Sequence, residues 1–181
     1  MSKLSLFEQV LSSDFARLPA AVQRFHRLSG HAVLHGQAEI LAPQTPLAWV
    51  LAVCLGSPRR ASKGAIRFEL SAAPSVETWT RHFPTISMTS CLTLTEGHVE
   101  EKLGLARLTF SVSATEERLS LQLEKMHFLG IPCPRWLLPR IVAQERGAND
   151  QLLFNISAEL PIVGKVADYR GSLTVPRGEP E

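Results

Sequence analysis

The sequence has few of the residues that usually mark a specialised chemistry. Of its 181 residues only three are cysteine and one is tyrosine, aromatic residues make up 7%, and the formal net charge is +2. Cys54, Cys91 and Cys133 lie far apart, and none stands near a second cysteine or a histidine at the spacing of metal ligands. This arrangement predicts neither a disulfide framework nor a zinc site. We therefore expect free thiols, no bound metal and a cytoplasmic protein.

Catalytic and nucleotide-binding motifs are also missing. The chain contains no GxSxG, GxGxxG, Walker or HExxH pattern. Its basic residues are scattered rather than clustered, so no nucleic-acid partner is expected. The most apolar stretch, residues 47–55, is shorter than the roughly 20 residues that span a bilayer. We predict no transmembrane segment and no cofactor, and whether the chain is an enzyme stays open.

Three helices are predicted near the start of the chain. Ser5 and Glu8 have the spacing of a capping box, and Pro19 can open a second helix. Thr45 can cap a third helix, which Gly56 can end and which is apolar on every side. A helix of that kind must be covered all round. We expect it inside a curved sheet or across the mouth of a barrel.

The rest of the chain is typical of strands joined by short turns. Alternation of apolar and polar residues predicts strands at 31–40, 65–71, 76–83, 86–94, 99–103, 108–114, 118–128, 152–160 and 166–175. Consecutive strands with short connections pair as antiparallel hairpins, and a long meander curls or closes to remove its edges. The prediction is a single α+β domain over residues 1–181, mainly β. It is a curved antiparallel meander or lipocalin-like barrel with short N-terminal helices, and a frayed end at 176–181.

Two strands carry the candidate site. Glu77, Trp79 and Arg81 share one face of their strand, where Arg81 could pair with a ligand carboxylate and Trp79 could stack on the ligand. On the last strand, Asp168 and Arg170 face the same way and could meet that group if the barrel closes. The competing interpretation is a surface ion pair with Trp79 packed under a helix on the first strand, and solvent charges on the last strand.

Residues 130–140, GIPCPRWLLPR, form the least ordinary segment. Pro132, Pro134 and Pro139 fix the backbone and allow only a single helical turn around Trp136. Three interpretations stay open: a corner plug closing the core, a lid over a ligand cavity, or a loop that touches a membrane with its arginines at the headgroups.

Four segments in this order carry a family resemblance: FARLPAAVQRFHRL, ETWTRHFP, LGIPCPRWLLPR and ELPIVGKVADYRG. With them the chain resembles a bacterial family known only as domain of unknown function 4166. Related domains are sometimes attached to saccharopine-dehydrogenase-like chains, which implies a possible dehydrogenase-like partner. The resemblance implies no activity and supplies no catalytic residue.

The sequence therefore predicts a binding or accessory domain for an apolar or amphipathic small molecule. Glu77, Trp79, Arg81 and Tyr169 would orient that molecule, and Trp136 would cover it. One alternative is an enzyme that uses Glu77 as acid or base and Arg81 to stabilise negative charge. The other is a module that binds a dehydrogenase-like protein.

Overall fold

The computed structural model describes residues 4–177, so most of the segment predicted to fray lies outside the described residues. The α-helices are Leu6–Leu11 (α1), Ala20–His26 (α2) and Pro46–Cys54 (α3), and 3₁₀ helices span Ser12–Arg17 and Arg135–Leu137. The predicted capping box is present on α1, because Ser5 Oγ accepts from the Glu8 amide and the Glu8 carboxylate accepts from the Ser5 amide. Thr45 caps α3 in the same way, by accepting from the Ala48 amide.

Eleven strands follow one another along the chain. They are Gly30–Ile40 (β1), Ser62–Ala73 (β2), Val76–His82 (β3), Ser87–Thr95 (β4), His98–Leu103 (β5), Ala106–Ala114 (β6), Arg118–Phe128 (β7), Ile131–Pro132 (β8), Arg140–Ala148 (β9), Gln151–Leu160 (β10) and Gly164–Thr174 (β11).

Ten of these strands close into an antiparallel barrel. Chain neighbours pair from β1 to β7 and from β9 to β11, β1 pairs with β11, and β7 pairs with β9, while the short β8 is added beside β7. The predicted lipocalin-like barrel is thus confirmed. Two strands were not predicted: the two-residue β8, and β9, whose inner face carries a charged residue, Glu145, where the alternation rule expects an apolar one.

The barrel has two unlike ends. What we call the closed end holds the connections 74–75, 96–97, 115–117 and 149–150, and α1 and α2 cover it. The Gln9 side chain donates to the Pro74 carbonyl there, and a Cβ on Gly147 would touch Pro19. What we call the open end holds the connections 41–61, 83–86, 104–105, 129–139 and 161–163.

The main hydrophobic core lies between the capping helices and the inner face of the barrel. Phe25 of α2 meets Phe68 and Trp79 edge to face, with ring centroids 5.6 and 5.8 Å apart, and Phe7 of α1 stacks near Trp79 at 6.2 Å. These aromatic contacts join the helices to β2 and β3, so the closed end is filled by side chains.

Helix α3 crosses the open end instead of lying inside the barrel. Its small face, Ala48 and Ala52, is fully buried against Val166 of β11. Its large apolar residues are exposed: Leu47, Trp49, Val50 and Val53. The prediction that this helix is covered all round is wrong, because the inward side chains of the strands leave no room for a helix and only its alanine face packs on the barrel.

Candidate functional site

Strand β3 points three large side chains into the barrel. Alternation puts Glu77, Trp79 and Arg81 on the inner face, and all three are buried. The sequence prediction that these residues share one face agrees with this placement. Glu77 and Arg81 are not surface charges, so the surface ion pair of the competing interpretation is wrong. Its other part is correct, because Trp79 packs under α1 and α2.

A cavity of about 110 Å³ lies between this face and the open end. Its wall is mostly apolar, contributed by side chains from β3 to β7 and from β9 to β11, by Pro139, and by Leu55 at the end of α3. The polar members of the wall are Ser57, Arg81, Glu101, Gln144, Glu145 and Tyr169.

Arg81 is the unusual group in this wall. The residue is only 7% exposed. Even so, no carboxylate among residues 4–177 lies within salt-bridge distance of its guanidinium. Arg81 Nη1 donates to Ser90 Oγ at 3.1 Å, and the guanidinium lies 5.2 Å from the Trp79 ring centroid and 5.8 Å from that of Phe68. A guanidinium has five N–H donors, so most of its donor capacity is free to face the cavity.

Tyr169 stands in the same wall on β11. Burial raises the pKa of its hydroxyl, and the nearby positive charge of Arg81 opposes that rise. The Tyr169 ring packs edge to face on Phe83, with centroids 5.3 Å apart. The neutral hydroxyl and the guanidinium can therefore act together on one polar group of a ligand.

Glu77 belongs to a different environment on the helix side of the same face. Trp79 Nε1 donates to Glu77 Oε2 at 2.8 Å, and Glu77 is absent from the cavity wall. Close by, His26 Nε2 lies 2.6 Å from Glu145 Oε2, which links α2 to β9 inside the core. Desolvation by burial raises the pKa of Glu77, the charge of His26 and the Trp79 hydrogen bond oppose that rise, and the charge of Glu145 adds to it.

Sequence reasoning missed three of these polar groups. Glu145 lies on the unpredicted strand β9, His26 contacts it from a helix remote in sequence, and Glu101 lines the cavity from a strand without a site motif. One signal was available for β9: the turn at residues 147–150 precedes β10, and a hairpin turn requires a strand on both sides.

The structure does not bring Asp168 and Arg170 to the cavity. Arg170 lies on the outer face, where its Nη2 and Nε donate to Glu39 Oε2 at 2.9 and 3.1 Å. Asp168 accepts from Lys165 Nζ at 2.6 Å. Successive residues of a strand face opposite sides, so Tyr169, which lies between them, points inward. The prediction that Asp168 and Arg170 meet Glu77, Trp79 and Arg81 is therefore wrong.

The proline-rich segment splits the barrel wall. Strand β7 pairs with β9 only from Arg118–Arg146 to Leu121–Ala143, and further along it pairs with β8 instead. Prolines have no amide proton, so residues 130–139 cannot continue the ladder. We call the widening gap between β7 and β9 the seam; Met126 and Ile141 from its two sides line the cavity.

Trp136 is neither a plug nor a cover for the cavity. It is 73% exposed and does not line the cavity, whereas Pro139 of the same segment does. An outer groove of about 620 Å³ runs between residues 138–140 and 159–164 and shares Pro139 and Leu160 with the cavity. The corner-plug interpretation is therefore wrong for Trp136, and Pro139 and Leu160 are common to the walls of the cavity and the outer groove.

The remaining chemistry of the described chain is modest. The thiols of Cys54, Cys91 and Cys133 are free. Within residues 4–177 no group of three or more histidine, cysteine, aspartate or glutamate residues could hold a metal ion. Nor does any helix in that range have the length and apolar character needed to cross a membrane.

Comparison with known proteins places the chain in a family. A family model described as Domain of unknown function (DUF4166) matches residues 18–173, which confirms the resemblance found in the sequence. No curated protein matches the chain. Among solved structures, the crystal structure of Rv2717c from M. tuberculosis is similar at a TM-score of 0.45 and 13% identity, over 88% of this chain and 99% of that one.

Proposed function

We propose that this chain, which belongs to the family described as domain of unknown function 4166, binds a small apolar molecule that carries one anionic group. The observation that supports this proposal is Arg81, a buried guanidinium in the wall of an apolar cavity without an acidic partner at salt-bridge distance. The anion would lie at Arg81 and Tyr169, and the apolar part would lie along the wall towards the open end.

Electrostatics favours an anion over a neutral group. A buried charge without a counter-charge is unfavourable by several kcal/mol, and aromatic faces and one hydroxyl compensate only part of that. A carboxylate or similar anion would supply both the missing charge and acceptors for the free N–H groups. Glu101 and Glu145 also line the cavity. His26 engages Glu145, whereas the charge of Glu101 acts on Tyr169 and adds to the rise in its pKa, so Arg81 has to supply the main attraction for the anion.

The size of the cavity limits the part of the ligand that it can hold. Its volume of about 110 Å³ is below that of a pocket that encloses a complete drug-sized ligand. An engineered cavity of roughly 150 Å³ admits a benzene ring, whereas drug-sized ligands occupy pockets of about 300–1,000 Å³. We infer a narrow ligand, of which one part enters the cavity and the rest lies in the outer groove.

A matched pair of probes tests the anionic preference on the unmodified protein. Octanoate and octanol have the same alkyl chain and differ in charge. Octanoate should bind at least about tenfold more tightly at neutral pH, because a charge-assisted hydrogen bond contributes roughly 1.5–3 kcal/mol. Titration calorimetry measures both affinities, and equal affinities would contradict the proposal.

Two arginine variants locate the anion. Arg81→Gln should remove the preference for octanoate, since it deletes the charge but keeps a polar side chain. Arg170→Gln makes the same charge change on the outer face of the barrel, where Arg170 binds Glu39, and should leave both affinities unchanged. A loss of preference in both variants would mean that long-range charge, and not contact in the cavity, sets the affinity.

The two alternatives predicted from sequence have less support. An enzyme that uses Glu77 as acid or base needs that carboxyl in the cavity, and Glu77 does not line it. The module for a dehydrogenase-like partner stays a prediction from the family resemblance.

A further inference from the structure

Exposed apolar side chains are concentrated at the open end. Among residues 4–177, fourteen large hydrophobic side chains are exposed. Ten of them lie in open-end connections: Leu41, Leu47, Trp49, Val50, Val53, Leu105, Leu129, Ile131, Trp136 and Ile162. None lies in a closed-end connection. Only Leu4 and Val76 of the fourteen are exposed beside the closed end. An apolar surface concentrated at one end of a molecule marks an interaction site.

Charged residues are also distributed unequally between the two ends of the barrel. The open-end connections contain three arginines, Arg59, Arg60 and Arg135, and no acidic residue. The closed-end connections contain four acidic residues, Glu96, Glu116, Glu117 and Asp150, and no basic one. The helical cap at 4–29 and the chain after β11 add two acidic residues and four arginines, so the described closed end keeps a net charge of −2 against +3 for the open-end connections. The apolar end is thus also the cationic end of the barrel.

Two turns at this end hold apolar residues in an unfavourable backbone conformation. Ile162 has φ +68° and is 98% exposed, and Leu129 has φ +52° and is also exposed. A β-branched residue in this region is strained, and glycine or asparagine would fit these positions better. Both side chains are largely exposed, so neither contributes buried apolar area to the stability of the fold. Their apolar character is available to a surface outside the chain.

Arginine and tryptophan also meet in a second groove beside α3. Trp49, Arg59 and Arg60 line it together with Thr85 and Ile86, and its volume is about 300 Å³. The Arg59 guanidinium lies 5.5 Å from the Trp49 ring centroid. No acidic group among the described residues lies within 4 Å of either arginine. A phosphate would fit this groove by charge.

We propose that the open end docks on the surface of an anionic lipid bilayer. Trp49, Trp136 and Ile162 enter the interface between headgroups and acyl chains, and Arg59 and Arg60 contact lipid phosphates. Docking places the seam and the outer groove against the acyl chains. A second copy of this chain is the less suitable occupant, because a symmetric contact would bring the arginines of both copies together.

Vesicle binding tests this proposal on the full chain. Vesicles of phosphatidylcholine with a minor fraction of phosphatidylglycerol should bind the protein and shift its tryptophan emission to shorter wavelength. Trp79 is already buried, so that shift would report on Trp49 and Trp136. Vesicles of phosphatidylcholine alone should bind more weakly, and added salt should weaken the binding to the anionic vesicles.

Matched variants separate the apolar and the cationic contributions. Arg59→Ala with Arg60→Ala should weaken binding about 25-fold, at roughly fivefold per arginine. Arg17→Ala with Arg177→Ala removes two exposed arginines at the closed end and should change little. Trp136→Ser with Ile162→Ser should weaken sedimentation with vesicles and reduce the emission shift of the remaining exposed Trp49, whereas Val33→Ser, an exposed residue on the barrel side, should do neither.

Three outcomes would overturn the proposal. The wild-type protein fails to bind anionic vesicles, or Trp136→Ser with Ile162→Ser binds them as tightly as wild type does. The third is a dimer that this double variant dissociates, without vesicle binding, which would identify a second copy as the occupant. The cavity proposal is tested independently of the membrane proposal. Arg81→Gln should lose the preference for octanoate and should keep its binding to vesicles.

Discussion

Two residues on one strand face show how position decides the role of a charge. Arg81 and Glu77 are four residues apart and both point into the barrel, yet Arg81 lines the cavity and Glu77 lies under the capping helices. Their charges are not paired with each other, since Glu77 accepts from Trp79 and Arg81 donates to Ser90. The first is suited to a ligand, and the second is part of the core.

The carboxyl of Glu77 should make stability depend on pH. Desolvation raises its pKa in the folded protein above the ordinary value of 4.5, so the folded state binds the proton more tightly than the unfolded state does. Wild type should lose stability as pH rises from 4.5 through the folded pKa. Glu77→Gln should avoid that loss, so its advantage in urea-unfolding free energy should grow with pH, by about 1.4 kcal/mol per unit of pKa elevation.

Glu8 provides a control with the opposite sign. Burial raises the pKa of Glu8, but the hydrogen bonds from Arg27 and Ser5 and the charge of Arg27 outweigh it, so the pKa is lowered. The ionised Glu8 carboxyl stabilises the fold above pH 4.5, and this stabilisation is lost as the pH falls through the pKa of Glu8 in the folded protein. Glu8→Gln should therefore become less stable relative to wild type as pH rises. A difference between Glu77→Gln and wild type that stays constant with pH would contradict the assignment.

At the scale of elements, sequence reasoning predicted those helices and strands whose apolar residues recur at a regular local spacing. The ring of strands, the cap of α1 and the inward face of β3 follow from alternation and capping rules. Strand β9 could not be predicted in this way, because Glu145 and Gly147 occupy its inner face. The stability of that strand comes from pairing with β10 and from the His26 contact, both remote in sequence.

The exposed tryptophans were beyond sequence reasoning for a related reason. An apolar helix and a Trp-Leu-Leu loop both predict burial by composition, and both α3 and residues 135–137 are largely uncovered. Composition states how apolar a segment is, but whether the chain itself covers it depends on the space left by the rest of the fold.

Gly104, in the turn between β5 and β6, fixes the position of α3. It has φ +54°, and a Cβ there would lie 2.3 Å from the Cys54 carbonyl oxygen at the end of α3. Gly97, in the turn between β4 and β5, also has a positive φ of +79°, but a Cβ there would meet no other atom within 4 Å. Gly97→Ala should lower the free energy of unfolding by about 1–2 kcal/mol through backbone strain alone.

Gly104→Ala should cost more than Gly97→Ala, by about 1 kcal/mol or more, because α3 must also move. Urea unfolding of both variants measures the difference. Equal destabilisation would mean that the contact between α3 and this turn adds nothing to stability.

The whole barrel is closed unequally around its circumference. Strands β1 and β2 share eleven paired residues, whereas β7 and β9 share four. Amides along the seam that are not bonded to β6 should therefore exchange with solvent faster than those between β1 and β2. Hydrogen exchange with mass spectrometry checks this, and octanoate should slow exchange at the seam. Equal protection at both strand pairs would show that the seam does not open.

The opposite charges of the two ends make the molecule an electric dipole aligned with the barrel axis. A negatively charged resin would hold the open end, and a positively charged resin would hold the closed end, although the net charge is only +2. Immobilised on these two matrices, the same polypeptide would present opposite poles to the mobile phase. Near a charged surface it would also rotate into alignment before it made any contact.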